Sequence, residues 1–135
     1  MFILDTMVVS EDIKPRPNPR VRAWLRAIAP ELQYLSVISI GEIRFGIGRL
    51  PPGASKQRLE TWYAGLIPFF RGRFLQVDVA VAQRWGHLRG AVGRSLSAAD
   101  SLIAATALVH DLTVVTRNER HFDDLGVRFL NPWLT

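Results

Sequence analysis

The sequence predicts an α/β fold in which a parallel sheet is covered by helices on both faces. Three observations lead there. Five short apolar runs of strand length recur along the chain, at residues 2–5, 34–38, 74–77, 112–115 and 127–130. Longer segments with helical periodicity separate the first four, and such crossovers return a chain in parallel. The 135 residues, 48% of them apolar, are enough for one full core, and no repeat or low-complexity tract divides them. One domain over residues 1–135 is expected.

The first run, Phe2-Ile3-Leu4-Asp5, reads as a buried strand that ends on a carboxylate. Pro15, Pro17 and Pro19 mark a loop, and residues 20–28 form an amphipathic helix that Pro30 ends. The second strand covers 34–38. Ser39 then starts a helix to about Leu50, stopped by Pro51-Pro52-Gly53. Residues 56–70 are helical again. Leu59, Trp62, Tyr63, Leu66, Ile67, Phe69 and Phe70 give this helix more apolar surface than one core-facing stripe needs, so part of it is expected to meet another chain. After the third strand, a helix from about Asp78 to Gly93 carries Val81, Trp85 and Leu88 on one face. Ser97 opens the next helix, which ends near His110. A short helix at 119–122 separates the last two strands.

Several function classes fall away on composition. With no cysteine there is no disulfide, no thiolate zinc site and no thiol nucleophile. Met1–Leu4 lead straight into Asp5 without a basic segment before an apolar run, and the longest apolar helical stretch, around 102–109, is too short for a bilayer. A soluble, cytoplasmic protein with no membrane partner is expected. The formal net charge is +5, and 15 of the 17 basic residues are arginine, whose planar fork matches phosphate.

In a parallel sheet the carboxyl ends of the strands share one edge, and ligands bind there at the topological switch point. Asp5 ends the first strand. Glu42 and Asp100 fall in the first turns of the predicted helices at 39–50 and 97–110, and Thr116 and Asn118 follow the fourth strand. Asp100 shares its helix face with Ile103, Ala104 and Ala107, so it points toward the top of the core rather than into water. Carboxylates brought together repel unless a cation or a proton intervenes, and oxygen ligands without His or Cys suit Mg²⁺ or Mn²⁺. A plainer reading stands beside this one. Ser39-Ile40-Gly41-Glu42, Ser97-Ala98-Ala99-Asp100 and Thr116-Arg117-Asn118-Glu119 all fit capping boxes, in which the acid only reaches back to an amide.

Four segments in order carry a family resemblance. They are Phe2-Ile3-Leu4-Asp5-Thr6 with Val8-Val9-Ser10-Glu11, Ser39 to Ile47, Leu96 to Ala107, and Val114-Val115-Thr116-Arg117-Asn118 through His121-Phe122 to Asn131-Pro132-Trp133. Together they resemble the PIN-domain ribonuclease toxins of VapBC-type toxin–antitoxin systems over nearly the whole chain. The resemblance implies a PIN-like three-layer α/β/α sandwich with a mostly parallel five-stranded sheet. It implies Mg²⁺- or Mn²⁺-dependent endoribonuclease activity on RNA, a homodimer, and a small antitoxin that blocks the site in a toxin–antitoxin hetero-oligomer. Operator DNA enters only through the antitoxin. The family's acidic positions fall on Asp5, Glu42 and Asp100. Met7 stands where the family commonly has Asn, and Asn118 occupies the place of a fourth acid.

The roles follow from the resemblance. Asp5 and Asp100 are expected to contact the metal, with Glu42 on the same ion or its water. Asn118 orients a ligand or the attacking water, and Thr116 orients Asp5 or a water through its hydroxyl, with a helix cap as the plainer alternative. Arg44, Arg49, Arg117 and Arg120 are candidates for guiding RNA phosphate, against the plain alternative of solvated charge. His87, His110 and His121 share no spacing and read as surface or packing residues, while Trp24, Trp62 and Trp85 read as core or interface and Trp133 as an anchor for the chain end. Two rivals remain. A haloacid-dehalogenase-type phosphatase needs a second Asp two residues after the first, where Met7 stands. A non-catalytic PIN-like interaction module has no need of Asp5, Glu42 and Asp100.

Overall fold

The structure, a computed structural model, describes residues 1–135. Five parallel strands form one sheet in the order β3-β2-β1-β4-β5. They are β1 (Phe2–Leu4), β2 (Gln33–Ser36), β3 (Phe74–Leu75), β4 (Thr113–Val115) and β5 (Phe129–Leu130). Six helices complete the three-layer α/β/α sandwich: α1 (Thr6–Glu11), α2 (Pro19–Ala27), α3 (Val37–Gly48), α4 (Ala54–Phe69), α5 (Val79–Ala91) and α6 (Ala98–His110).

Side-chain alternation along the strands divides the core in two. Leu4, Leu35 and Val115 point to one face, where they pack with Val8 of α1, Val21 of α2, Ile43 and Ile47 of α3, and Leu66 of α4. Ile3 and Val114 point to the other, against Leu88 of α5, Ile103, Ala104 and Ala107 of α6, and Phe122. The chain adds strands outward from β1 in one direction to β3, then restarts beside β1 with β4 and β5. With right-handed crossovers that reversal moves the connecting helices to the opposite face and opens a switch point between β1 and β4.

Local chemistry sets the helix ends. Asn18 caps α2 through its side chain, with Pro19 at the first helical position. Asp78 caps α5 and Ser97 caps α6. Asp111 closes α6 in the left-handed region at φ 55°, which a short polar side chain tolerates, and Gly126 takes φ 73° ahead of β5.

Between Asp5 and the proline loop lies α1, an element the sequence does not predict. Two expectations need correction. The second strand ends at Ser36 rather than 38, and Ser36, not Ser39, caps the following helix by accepting the Ile38 amide at 3.1 Å. The apolar run from Tyr34 to Ile40 suits strand and helix alike, so its periodicity does not mark the junction. Phe70, expected among the surplus apolar residues of the helix at 56–70, is 1% exposed and packs in the core. The surplus that does reach the surface is Ile67 and Phe69. No helix is long and apolar enough to cross a membrane.

Candidate active site at the carboxyl edge of the sheet

The β1–β4 register places Leu4 opposite Val115, so Asp5 and Thr116 are the next residues out on adjacent strands. The Asp5 amide donates to the Val115 carbonyl at 2.9 Å, extending the ladder by one bond. Both side chains lie inside the protein: Asp5 is 4% exposed and Thr116 fully buried. The Thr116 hydroxyl donates to Asp5 Oδ2 at 2.8 Å, and the Thr6 amide donates to Oδ1 at 2.8 Å. Thr116 thus orients Asp5. Its oxygen also accepts the Asn118 amide at 3.0 Å, which shapes the turn after β4.

Glu42 approaches from α3. Because α3 begins at Val37, Glu42 lies in the second turn and not the first, and no capping box forms with Ser39. Ser39 is fully buried and joins Glu42 in a small network: the Thr6 hydroxyl lies 2.9 Å from Ser39 Oγ and 2.6 Å from Glu42 Oε1. Asp100 sits in the first turn of α6, as the sequence predicts. The cap is half of a capping box: Ser97 Oγ accepts the Asp100 amide at 3.3 Å, but the carboxylate does not reach back. Its Oδ2 meets His121 Nδ1 at 2.6 Å instead. His121 therefore has a partner within the site, contrary to its reading as a surface or packing residue. The third expected box is absent too: Thr116 Oγ1 accepts the Asn118 amide rather than that of Glu119, and Glu119 Oε2 accepts from Asn131 Nδ2 at 3.4 Å, while the Asn118 side-chain amide contacts Met7 Sδ at 3.3 Å.

Burial pushes the Asp5 carboxyl up from its ordinary 3.8 to about 6. The Thr116 and Thr6 donors oppose that rise, while the negative charges of Asp100 and Glu42 add to it. The three acids thus sense one another across the edge of the sheet. They are not gathered into a ready-made cage, for no group of three or more His, Cys, Asp or Glu side chains could hold a metal ion as they stand. Each carboxylate is turned to a donor of its own, which is how like charges share an edge without a counter-ion. The donor set still has the chemistry of a hard divalent cation site: carboxylate oxygens around a buried Asp5, whose ionised form the charges of Asp100 and Glu42 disfavour, and no thiolate.

The candidate phosphate residues divide. Arg44 is paired with Glu60 and lies over the Tyr63 ring, and Arg49 lies over Phe45. Arg117 sits 5.3 Å from the Trp133 ring centroid and helps to fasten the chain end, while Arg120 is exposed beside the acidic edge. The sequence reading missed Thr6, Ser39, His121 and Arg94. His121 and Arg94 offered a weak signal: one follows β4 by six residues and the other precedes α6 by four, and β4 ends at the edge where α6 begins.

Known proteins bear on this site. A family model described as the PIN domain matches residues 2–127. Toxin FitB of Neisseria gonorrhoeae is 42% identical over 98% of this chain and 99% of its own length. The VapC ribonuclease Y4jK of Sinorhizobium fredii is 35% identical over 98% of each. Among solved structures, FitAB bound to an IR36 DNA fragment superposes with a TM-score of 0.92 at 40% identity, covering 98% of this chain and 96% of that one.

Proposed function

Because the chain belongs to the PIN-domain family of VapBC/FitAB-type toxins, we propose that it is a divalent-cation-dependent endoribonuclease, the toxin of a toxin–antitoxin module. The observation that carries this reading is the buried Asp5 carboxylate at the β1–β4 switch point, flanked by Glu42 and Asp100 and oriented by Thr116. Asp5 and Asp100 would hold the Mg²⁺ or Mn²⁺, with Glu42 on the same ion or its water. When bound, the cation polarises a phosphate and makes a coordinated water more acidic. The chain's own residues do the rest. Thr116 and the Thr6 amide fix both oxygens of Asp5, the Thr6 hydroxyl steadies Glu42, and His121 holds Asp100. Such fixing keeps acidic groups in place without their reorganising as substrate arrives. Asn118 would orient a ligand or the attacking water, and Arg120, which is exposed, would guide the RNA phosphate.

The antitoxin belongs to the same proposal. A FitAB assembly bound to DNA is a close structural relative, and we assign this chain a small antitoxin partner through which operator DNA is reached. A groove of about 390 Å³ beside α4, walled by Trp62, Leu66 and Phe69 with Leu25 and Val9, offers that partner apolar surface. A second reading, a non-catalytic interaction module, draws on the absence of a pre-gathered metal cage.

One experiment separates the two. Purified toxin free of antitoxin should cleave RNA in Mg²⁺ or Mn²⁺ and stop in EDTA, and Asp5→Asn and Asp100→Asn should lose the activity. Equal cleavage by the Asp100→Asn protein would sink the ribonuclease reading, and inactive wild type would favour the interaction module.

A further inference from the structure

We propose that His121 is a positioning residue for Asp100, held by an Arg94 clamp, and that this relay sets the chain's affinity for its divalent cation. The inference rests on the ribonuclease reading above and adds residues that lie outside its acidic set.

The first link is the Asp100–His121 contact. An ionised carboxylate can only accept, so Nδ1 of His121 carries the hydrogen that bridges the 2.6 Å to Oδ2. Asp100 Oδ1 accepts no bond from the protein. A carboxylate with one oxygen fixed and the other open is oriented for an external ligand, as a bonded partner behind a metal-binding group orients it. A completed capping box would have drawn the carboxylate back toward Ser97 instead.

The second link fixes His121 itself. Its side chain is 49% exposed, so packing alone does not hold the ring. Its backbone is pinned from three sides. Arg94, in the loop before α6, grips Asp124 with a fork, Nε at 2.8 Å and Nη2 at 2.7 Å. The same Nη2 donates to the carbonyls of His121 at 3.2 Å and Arg120 at 3.3 Å. Phe122, the next residue, is fully buried in the core beneath α6. Asn131 bonds the Arg117 carbonyl at 3.3 Å and Glu119 Oε2 at 3.4 Å from the far side. The turn Glu119–His121 is therefore tied to the start of α6 by one guanidinium, and the imidazole reaches across that tie to the carboxylate.

The test is calorimetric titration of Mn²⁺ into EDTA-stripped, buffer-exchanged wild type, His121→Ala, His121→Asn and Arg94→Gln, with thermal melts in EDTA and steady-state cleavage alongside. Loss of a group that orients a metal ligand weakens affinity on the order of 10–100-fold. His121→Ala should fall in that range and lower kcat while leaving KM for RNA in place. His121→Asn, which keeps an N–H near Nδ1, should recover most of the affinity. Arg94→Gln should show a smaller loss, because it loosens the turn without removing the ring. Affinity unchanged or tightened in His121→Ala would overturn the inference, even if the melt drops, since that is the mark of a merely structural contact. If His121→Ala does not fold, Arg94→Gln decides: a loss of Mn²⁺ affinity supports the inference, and unchanged affinity overturns it. Wild type with no Mn²⁺ affinity and no cleavage would remove the ribonuclease reading and this inference with it, whereas normal wild type with unaltered variants would remove this inference alone.

Discussion

Asp5 shows at a single residue how the site is charged. Its carboxyl is raised from 3.8 to about 6 on folding, chiefly by burial. The folded state therefore binds this proton more tightly than the unfolded chain does. The stability linked to it is fully present below pH 4 and is lost as pH rises through 6. The shift corresponds to about 3 kcal/mol, undiminished by solvent because the side chain is buried. In EDTA, urea midpoints should show the wild type losing stability from about pH 4 to just above 6 relative to Asp5→Asn, whose side chain is neutral throughout. Parallel pH profiles for the two proteins would show that the buried charge carries no such penalty. The penalty also explains why each oxygen of Asp5 has a donor: without the bonds from Thr116 and Thr6 the carboxyl would rise further.

At the level of elements, the most informative helix is α4. Its sequence carries adjacent apolar pairs, more than one buried stripe can use. The fold resolves the pair at its end by burying one member and exposing the other: Phe70 is 1% exposed and Phe69 is 49% exposed, their rings 5.0 Å apart edge to face, with Arg73 across both. Phe69→Asp should therefore keep a cooperative melt and weaken binding of the proposed antitoxin partner at least tenfold in a pull-down titration. Phe70→Asp should fail to fold, because a charge would replace a packed core ring. Undiminished antitoxin binding by folded Phe69→Asp would take α4 out of the interface. The same contrast shows at α3, where the sequence assigns the cap to Ser39. Ser36 takes the cap, and Ser39 is buried as part of the Thr6–Glu42 network.

For the whole molecule, the acidic edge costs stability that a cation would return. A ligand bound only to the folded state stabilises it by about 2.7 kcal/mol at one hundred times its dissociation constant. For a chain of this length that is roughly 10 °C in melting temperature. Scanning calorimetry in Mn²⁺ at pH 7.5 should show such a rise, and it should shrink at pH 5, where a protonated Asp5 no longer competes well as a ligand. An Asp5→Asn protein should gain little at either pH. Equal gains in the wild type and this variant would place the cation elsewhere. The +5 charge acts at longer range, drawing a polyanion toward the surface while the carboxylates at the edge repel it.

The sequence by itself determined the layer order, the parallel strands and the positions of Asp5 and Asp100. These follow from local chemistry: apolar runs of strand length, helical periodicity, and a serine that caps α6. Four motifs in order also made the family legible before any contact was known. Where α3 begins was not legible, because the apolar run from Tyr34 to Ile40, which holds both Ser36 and Ser39, satisfies strand and helix equally. Nor was the fate of Phe69 and Phe70, since adjacent residues of one helix differ only in what packs against them. The role of His121 was least legible of all. Its partner is 21 residues away in sequence, on another element, and the Arg94 clamp that holds its turn lies 27 residues away. Only the tertiary structure decided these points, because hydrogen bonds between distant side chains depend on how the elements converge and leave no periodic trace along the chain.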